Sequence, residues 1–294
     1  MFKIGIIGTE NYHAKEFTGY FNKPNENGEY AYPDCHVTLV YGHYPEENER
    51  LVKEFGADKI AESIEEMVKN VDAVMITARD GKFHAEFARP FIEAGIPAFI
   101  DKPFTCDVEQ AIELIKLAKK KNVPLCGGSS LKYAEDIVAL KEIKNTLAEK
   151  TQGGYISAPV DYESIYSGFW FYASHAAEMC MEVFGWNPKA IVALENNHNV
   201  NAIVEYEGYS VACNFINHNY ACYSGGVYGE NQNEVRFVKL DNVFRSECEA
   251  FVEMIHTGKM SRSYEELIAP VLFLDAVKRS YETGEKVEIN YQKA

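Results

Sequence analysis

A lysine follows directly on a short apolar run at residues 96–100, in Asp101-Lys102-Pro103. If that run is a strand of a parallel sheet, Lys102 leaves the sheet at its carboxyl edge, where open α/β folds bind ligands. A desolvated lysine beside other charge is tunable toward neutral pH and serves as a general base. A second candidate is His175 in Ser174-His175-Ala176-Ala177-Glu178. Ser174 is suited to cap a helix start, and a histidine titrates near neutrality without tuning. The third feature is Gly8, closing the apolar stretch 4–7. A strand that turns through it into a helix can seat a phosphate over the helix amino terminus, where free N–H groups and the dipole favour negative charge.

The glycine fingerprint of a dinucleotide loop is incomplete. In Gly8-Thr9-Glu10-Asn11-Tyr12-His13, Glu10 and His13 stand in place of the second and third glycines. A carboxylate held about 5 Å from a phosphate charge costs roughly 3 kcal/mol at an effective dielectric near 20, about a hundredfold in affinity, unless it turns away or pairs. The next apolar run, 37–40, leads into Tyr41-Gly42-His43-Tyr44 rather than into the acid that holds an adenosine ribose. His43 is a hydrogen-bond donor there, or an ordinary loop histidine.

The elements that must carry these residues follow from periodicity. Apolar runs at 4–7, 37–40, 73–76, 98–100 and 123–126 alternate with helical stretches such as 45–55 and 108–121, which predicts βαβ units on one parallel sheet. Within 108–121, Ala111, Ile112, Ile115 and Ala118 make the apolar stripe of a crossover helix, and Lys119-Lys120-Lys121 complements its dipole. After Gly127-Gly128 the pattern becomes β-rich, with runs at 191–194, 202–206, 210–216 and 234–240 and turn signals at Glu207-Gly208 and Gly225-Gly226. Consecutive strands predict an antiparallel sheet, and two closing helices, 243–256 and 264–282, complete the second domain. The expected fold class is α/β, with a Rossmann-type parallel-sheet domain at 1–128 and an α+β domain with a large, mostly antiparallel sheet at 129–294.

Taken together, Phe2-Lys3-Ile4-Gly5-Ile6-Ile7-Gly8, Asp101-Lys102-Pro103 and the segment 174–178 resemble the Gfo/Idh/MocA oxidoreductase family, whose members carry Glu-Lys-Pro where this chain has Asp-Lys-Pro. The stretch 71–78, then His84, then Glu93-Ala94-Gly95-Ile96-Pro97 resemble the family's fourth strand, its following histidine and the approach to the lysine. Over roughly residues 1–130 the resemblance is dense; beyond, it rests chiefly on the segment around His175. It implies NAD or NADP bound by Gly8, Thr9, Asn11, Gly42, Thr77, His84, Asp101 and Lys102. It also implies hydride transfer to or from a sugar, polyol or related small molecule, with Lys102 and His175 catalytic, and a homodimer or homotetramer. The family aspartate four residues before the histidine is Phe171 here, and Tyr166, Tyr172 and Glu178 are open as substitutes. Tyr162, Tyr166, Trp170 and Tyr172 suit the stacking of a hydroxylated ring, or equally a domain core. The alternatives are a catalytically degenerate ligand-binding or regulatory member, and an elimination cycle on a tightly held nicotinamide.

A formal net charge of −15 removes the basic footprint that nucleic-acid or anionic-membrane binding requires. No apolar run approaches spanning length, and the start lacks a secretory pattern, so the expectation is a cytoplasmic protein. Seven cysteines without a Cys-x-x-Cys pair predict reduced thiols rather than a disulfide framework or zinc site. His198 and His218, each between asparagines, read as sheet-face residues, and no metal is expected.

Overall fold

The computed structural model describes residues 1–291. Its first sheet is built from β1 (Phe2–Ile7), β2 (Cys35–Tyr41), β3 (Lys59–Ile60), β4 (Ala73–Ile76), β5 (Ala98–Asp101) and β6 (Leu125–Gly128), in the spatial order β3-β2-β1-β4-β5-β6. Parallel pairing joins β1 to both β2 and β4, β2 to β3 and β4 to β5. Every residue of β4 and β5 is buried, as strands covered by helices on both faces require. The crossovers are α1 (Tyr12–Asn22), α2 (Pro45–Phe55), α3 (Ile64–Asn70), α4 (His84–Ala94) and α5 (Val108–Lys121). Local chemistry sets several of their ends. Asn11, Ser63 and Asp107 each accept a backbone N–H as side-chain caps of α1, α3 and α5, and α5 ends with Asn122 in the left-handed region.

The second sheet has seven strands in the order β12-β11-β7-β10-β9-β8-β13. They are β7 (Thr151–Val160), β8 (Ala190–Asn196), β9 (Asn199–Glu205), β10 (Ser210–Asn217), β11 (Ser224–Gly229), β12 (Asn233–Phe237) and β13 (Val287–Glu288). Among the described residues only the β7–β10 pair of this sheet is parallel, so the sheet is mixed and mostly antiparallel. Helices α6 (Glu135–Leu147) and α7 (Phe169–Phe184) belong with it. Val211, Cys213 and Phe215 of β10 are buried, while Ala212, Asn214 and Ile216 are only half-buried.

Three placements differ from the sequence expectation. Gly225-Gly226 is no turn but the interior of β11, because a Cβ at Gly226 would lie 2.7 Å from the Tyr155 ring and one at Gly225 would lie 2.8 Å from Ile156. The residues are small because the neighbouring strand's side chains lean over them. His198 and His218 sit at left-handed positions just beyond strand ends, at φ 61° and 54°, rather than on a sheet face. The helix α8 (Val243–Thr257), expected to close the second domain, packs on the first: the compact units are Met1–Gly127 with Phe244–Leu267, and Gly128–Val243 with Ile268 onward. Cys248, Phe251 and Met254 of α8 are fully buried in one core with Phe17, Phe21 and Phe99, where Phe251 meets Phe21 and Phe99 edge to face. The remaining helix, α9, is Tyr264–Thr283.

Candidate active site

In the first unit, the chemistry collects where β1, β4 and β5 end. Gly8 has φ +94°, and a Cβ there would lie 2.1 Å from the Ala78 nitrogen, so only glycine lets the ends of β1 and β4 approach this closely. Asn11 caps α1 through His13 N and donates to Asp101 Oδ2 at 3.1 Å. Asp101 is fully buried, with His13 Nδ1 2.6 Å from Oδ2 and the Lys102 backbone N–H donating to Oδ1 at 2.7 Å. Burial pushes the Asp101 carboxyl upward, but His13 beside it, together with Lys102 and His84, outweighs burial and holds it below the usual carboxylate range.

Glu10, the residue that threatened a phosphate, turns onto the protein: its Oε1 accepts the Arg79 backbone N–H at 2.9 Å. The turning away that phosphate binding demands is therefore met within the first unit, and the loop without a side chain at Gly8 leads into the amino terminus of α1, the end that suits a dinucleotide diphosphate. Other residues expected around the cofactor have polar atoms engaged by protein partners. Thr9 donates to Asn48 Oδ1 at 2.6 Å, and Asn48 in turn donates to the Gly42 carbonyl at 2.9 Å. The Thr77 hydroxyl lies 3.1 Å from the carbonyls of Ile7 and Gly8. The ring nitrogens of His84 sit 2.7 Å from the Pro103 and Ala78 carbonyls. These residues fix the loops, and what they offer a ligand is backbone and shape. His43 rests its ring beside Phe83 and Phe87.

Lys102 is 5% exposed. Burial pushes its ammonium below the usual lysine range; Asp101 opposes this, Arg79 adds to it, and Glu247 opposes it. Sequence reasoning missed Glu247, which is 1% exposed. It shares a face of α8 with Phe244, which packs on the His13 ring, and with Phe251, which packs on Phe99 two residues before Asp101. An acid between apolar anchors at helical spacing was the available signal.

In the second unit, α7 opens at Phe169 behind Gly168, so Ser174 is not the helix cap expected from the sequence but an interior residue, and His175 follows it in the buried stretch 173–184, where polar side chains must find partners. Its Nδ1 is 2.7 Å from Ser129 Oγ. Glu178, one turn on, accepts the Ser129 backbone N–H at 2.6 Å on Oε1 and the Lys132 ammonium at 2.9 Å on Oε2, while Lys132 also donates to the Ser129 carbonyl at 3.1 Å. Lys132 and Glu178 form a pair that is almost wholly out of water. The rings of Tyr172 and Tyr223 flank His175 at 6.0 and 6.1 Å. Sequence reasoning did not single out Ser129 or Lys132, although a polar run leaving the end of an apolar one was visible. Phe171 packs between the rings of Tyr166 and Tyr172.

Among the described residues, Asp34, Cys35 and His256 bring three potential ligand atoms within 4.8 Å of one another. Burial pushes the Cys35 thiol up to about 12, so it stays protonated, and His256 is already paired with Asp34 at 2.6 Å. That arrangement is a histidine–carboxylate hydrogen bond beside a buried thiol.

Residues 2–128 match the Gfo/Idh/MocA oxidoreductase family, described as an NAD-binding Rossmann fold. The chain is 33% identical over 85 residues to the myo-inositol dehydrogenase Hyg17 of Streptomyces leeuwenhoekii, covering 29% of this chain and 26% of that protein. It is 41% identical over 54 residues to an inositol 2-dehydrogenase of Corynebacterium glutamicum, covering 18% and 16%. The aligned stretches thus span about a quarter or less of these relatives. Among solved structures, the myo-inositol 2-dehydrogenase of Lactobacillus plantarum superposes with a TM-score of 0.82 at 17% identity over 98% of this chain and 99% of that one. The scyllo-inositol dehydrogenase of Lactobacillus casei, solved with NAD(H) and scyllo-inositol, gives 0.80 at 16% over 98% and 99%. At such identities the likeness concerns the fold.

Proposed function

We propose that this chain, whose amino-terminal domain belongs to the Gfo/Idh/MocA oxidoreductase family, is an NAD-dependent oxidoreductase acting on a hydroxylated ring of the inositol class. The observation that carries the reading is Lys102: a lysine at the end of β5, nearly out of water, whose neutral amine is favoured by burial. Such an amine takes the proton from a substrate hydroxyl in the oxidation and returns it in the reduction. NAD, when bound, supplies the nicotinamide carbon that accepts the hydride from the carbinol carbon. Gly8 and the head of α1 would hold its diphosphate, with Glu10 kept aside by Arg79 N–H. His175 contributes an imidazole flanked by Tyr172 and Tyr223, whose ring faces suit the apolar side of a sugar or cyclitol.

The experiment is direct. Purified protein is mixed with NAD and a panel that includes myo-inositol, scyllo-inositol and common aldoses, and NADH absorbance is followed. Turnover with at least one cyclic polyol is expected, and Lys102→Met should lower kcat by about a hundredfold or more. Absence of NADH binding, or turnover untouched by Lys102→Met, overturns the reading. A second reading, a ligand-binding protein without redox activity, is favoured by Phe171 at the family's acid position; it predicts nucleotide or polyol binding with no NADH formed.

A homodimer or homotetramer is part of the proposal. Val192, Leu194, Ile203, Tyr228, Val235 and Phe237 are large exposed side chains on strands of the second sheet, an apolar set of the kind that a symmetry mate covers. Light scattering at micromolar concentration giving a monomer of 33.3 kDa would refute it. No helix among the described residues is long and apolar enough to cross a membrane, which suits the cytoplasmic setting we propose.

A further inference from the structure

We propose that Ser129 is the positioning residue of His175, filling the place that Phe171 cannot. The inference rests on the reading above that His175 takes part in the oxidoreductase reaction. A histidine in catalysis needs a partner on the ring nitrogen turned away from the substrate, because that partner fixes both ring orientation and tautomer. Phe171 offers no acceptor and is enclosed by aromatic rings. Glu178 lies one turn along α7, but both of its oxygens are committed, one to the Ser129 backbone N–H and one to the Lys132 ammonium. Tyr172 meets the imidazole ring to ring at 6.0 Å. Ser129 Oγ does lie at hydrogen-bond distance, 2.7 Å from Nδ1.

The direction of that bond follows from counting protons. Ser129 is fully buried, and its Oγ already accepts the Leu131 backbone N–H at 3.2 Å. Its own proton needs an acceptor, since an unsatisfied buried hydroxyl is costly, and His175 Nδ1 is the one within reach. The hydroxyl therefore donates to Nδ1, and the neutral ring carries its proton on Nε2. Glu178 and Lys132 hold this arrangement from behind by gripping both backbone groups of Ser129, its N–H and its carbonyl. In that tautomer His175 enters the reaction as a hydrogen-bond donor toward oxygen. A base must then come from another group, the part that the proposed function gives to the Lys102 amine, which would take the hydroxyl proton in the oxidation.

The test is imidazole nitrogen-15 NMR on the full-length protein above the histidine titration range, with the His175 signals assigned by their loss in His175→Gln. The expected wild-type result is an unprotonated Nδ1 and a protonated Nε2. Ser129→Ala should lose that tautomer preference and lower kcat by about ten- to a hundredfold with KM changed by less than about threefold. Ser129→Thr, which keeps the hydroxyl, should restore both. A wild-type ring protonated on Nδ1, or a tautomer unchanged in Ser129→Ala, overturns the proposal, and the wild-type measurement stands even if Ser129→Ala fails to fold. The tautomer is read without substrate, so a protein with the expected tautomer and no polyol turnover refutes the oxidoreductase reading while leaving the role of Ser129 in orienting the ring intact.

Discussion

Replacing Lys132 with methionine removes one half of an ion pair whose members are 2% and 4% exposed. The ammonium gives up a 2.9 Å contact to Glu178 and a 3.1 Å bond to the Ser129 carbonyl, and methionine matches its bulk without its charge. Glu178 keeps the Ser129 backbone N–H but becomes a carboxylate stranded out of water. Breaking a buried pair in this way costs roughly 3–5 kcal/mol, most of it the penalty of the uncompensated charge. With a urea m-value near 3 kcal/mol/M, the unfolding midpoint falls by about 1 M or more. Both tryptophans, Trp170 and Trp186, lie in the second compact unit, so fluorescence reports the unit that contains the pair without averaging over the first. Lys132→Met with Glu178→Gln should recover most of the loss, because glutamine keeps an oxygen for Ser129 N–H while discarding the charge. A single variant that shifts the midpoint by less than about 0.3 M, or a double variant no more stable than the single, refutes the reasoning.

If Lys102 is the base, as the proposed function has it, oxidation should accelerate as pH rises through a midpoint below the ordinary lysine range, because burial lowers its pKa; in Lys102→Arg that limb should vanish from the pH–rate profile, and a limb that persists rules Lys102 out as its source. Asp101→Asn leaves one oxygen facing Asn11, His13 and the Lys102 N–H, so chemical denaturation at neutral pH should show a loss of about 2–3 kcal/mol. The folded Asp101 carboxyl titrates below its unfolded value, so its contribution is complete above the usual aspartate pKa and disappears as pH falls through the lower folded one; the gap between wild type and Asp101→Asn should therefore close only in strong acid, and a gap already closed at mildly acidic pH contradicts the assignment. Gly8→Ala places a methyl 2.1 Å from the Ala78 nitrogen at a φ that alanine disfavours, which should cost about 2–4 kcal/mol and weaken NADH binding measured by fluorescence; unchanged stability and binding would mean that the ends of β1 and β4 yield more readily than their packing implies.

The sequence by itself determined what local periodicity and end chemistry encode. The limits of α2 and α5, the alternation that makes a parallel sheet and the strand ending just before Lys102 all depend on residues within a few positions of one another, whereas the helix start read at Ser174 lies at Phe169. Partner choice was decided by the tertiary structure, because an apolar stripe states that a face will be buried and not against what. The stripe of α8 reads the same for either domain, and Phe21 and Phe99, more than a hundred residues away in the chain, claim it for the first. Gly225-Gly226 reads as a turn until Tyr155 and Ile156 of a neighbouring strand occupy the space a Cβ would need. Glu10 opposes a phosphate in sequence and is disarmed by a backbone N–H 69 residues on. Ser129 reaches His175 across 46 residues of chain, and no spacing rule connects a residue leaving β6 to one in α7. A hydrogen bond between distant residues depends on where two elements are brought in space, and that placement is settled by the packing of everything around them.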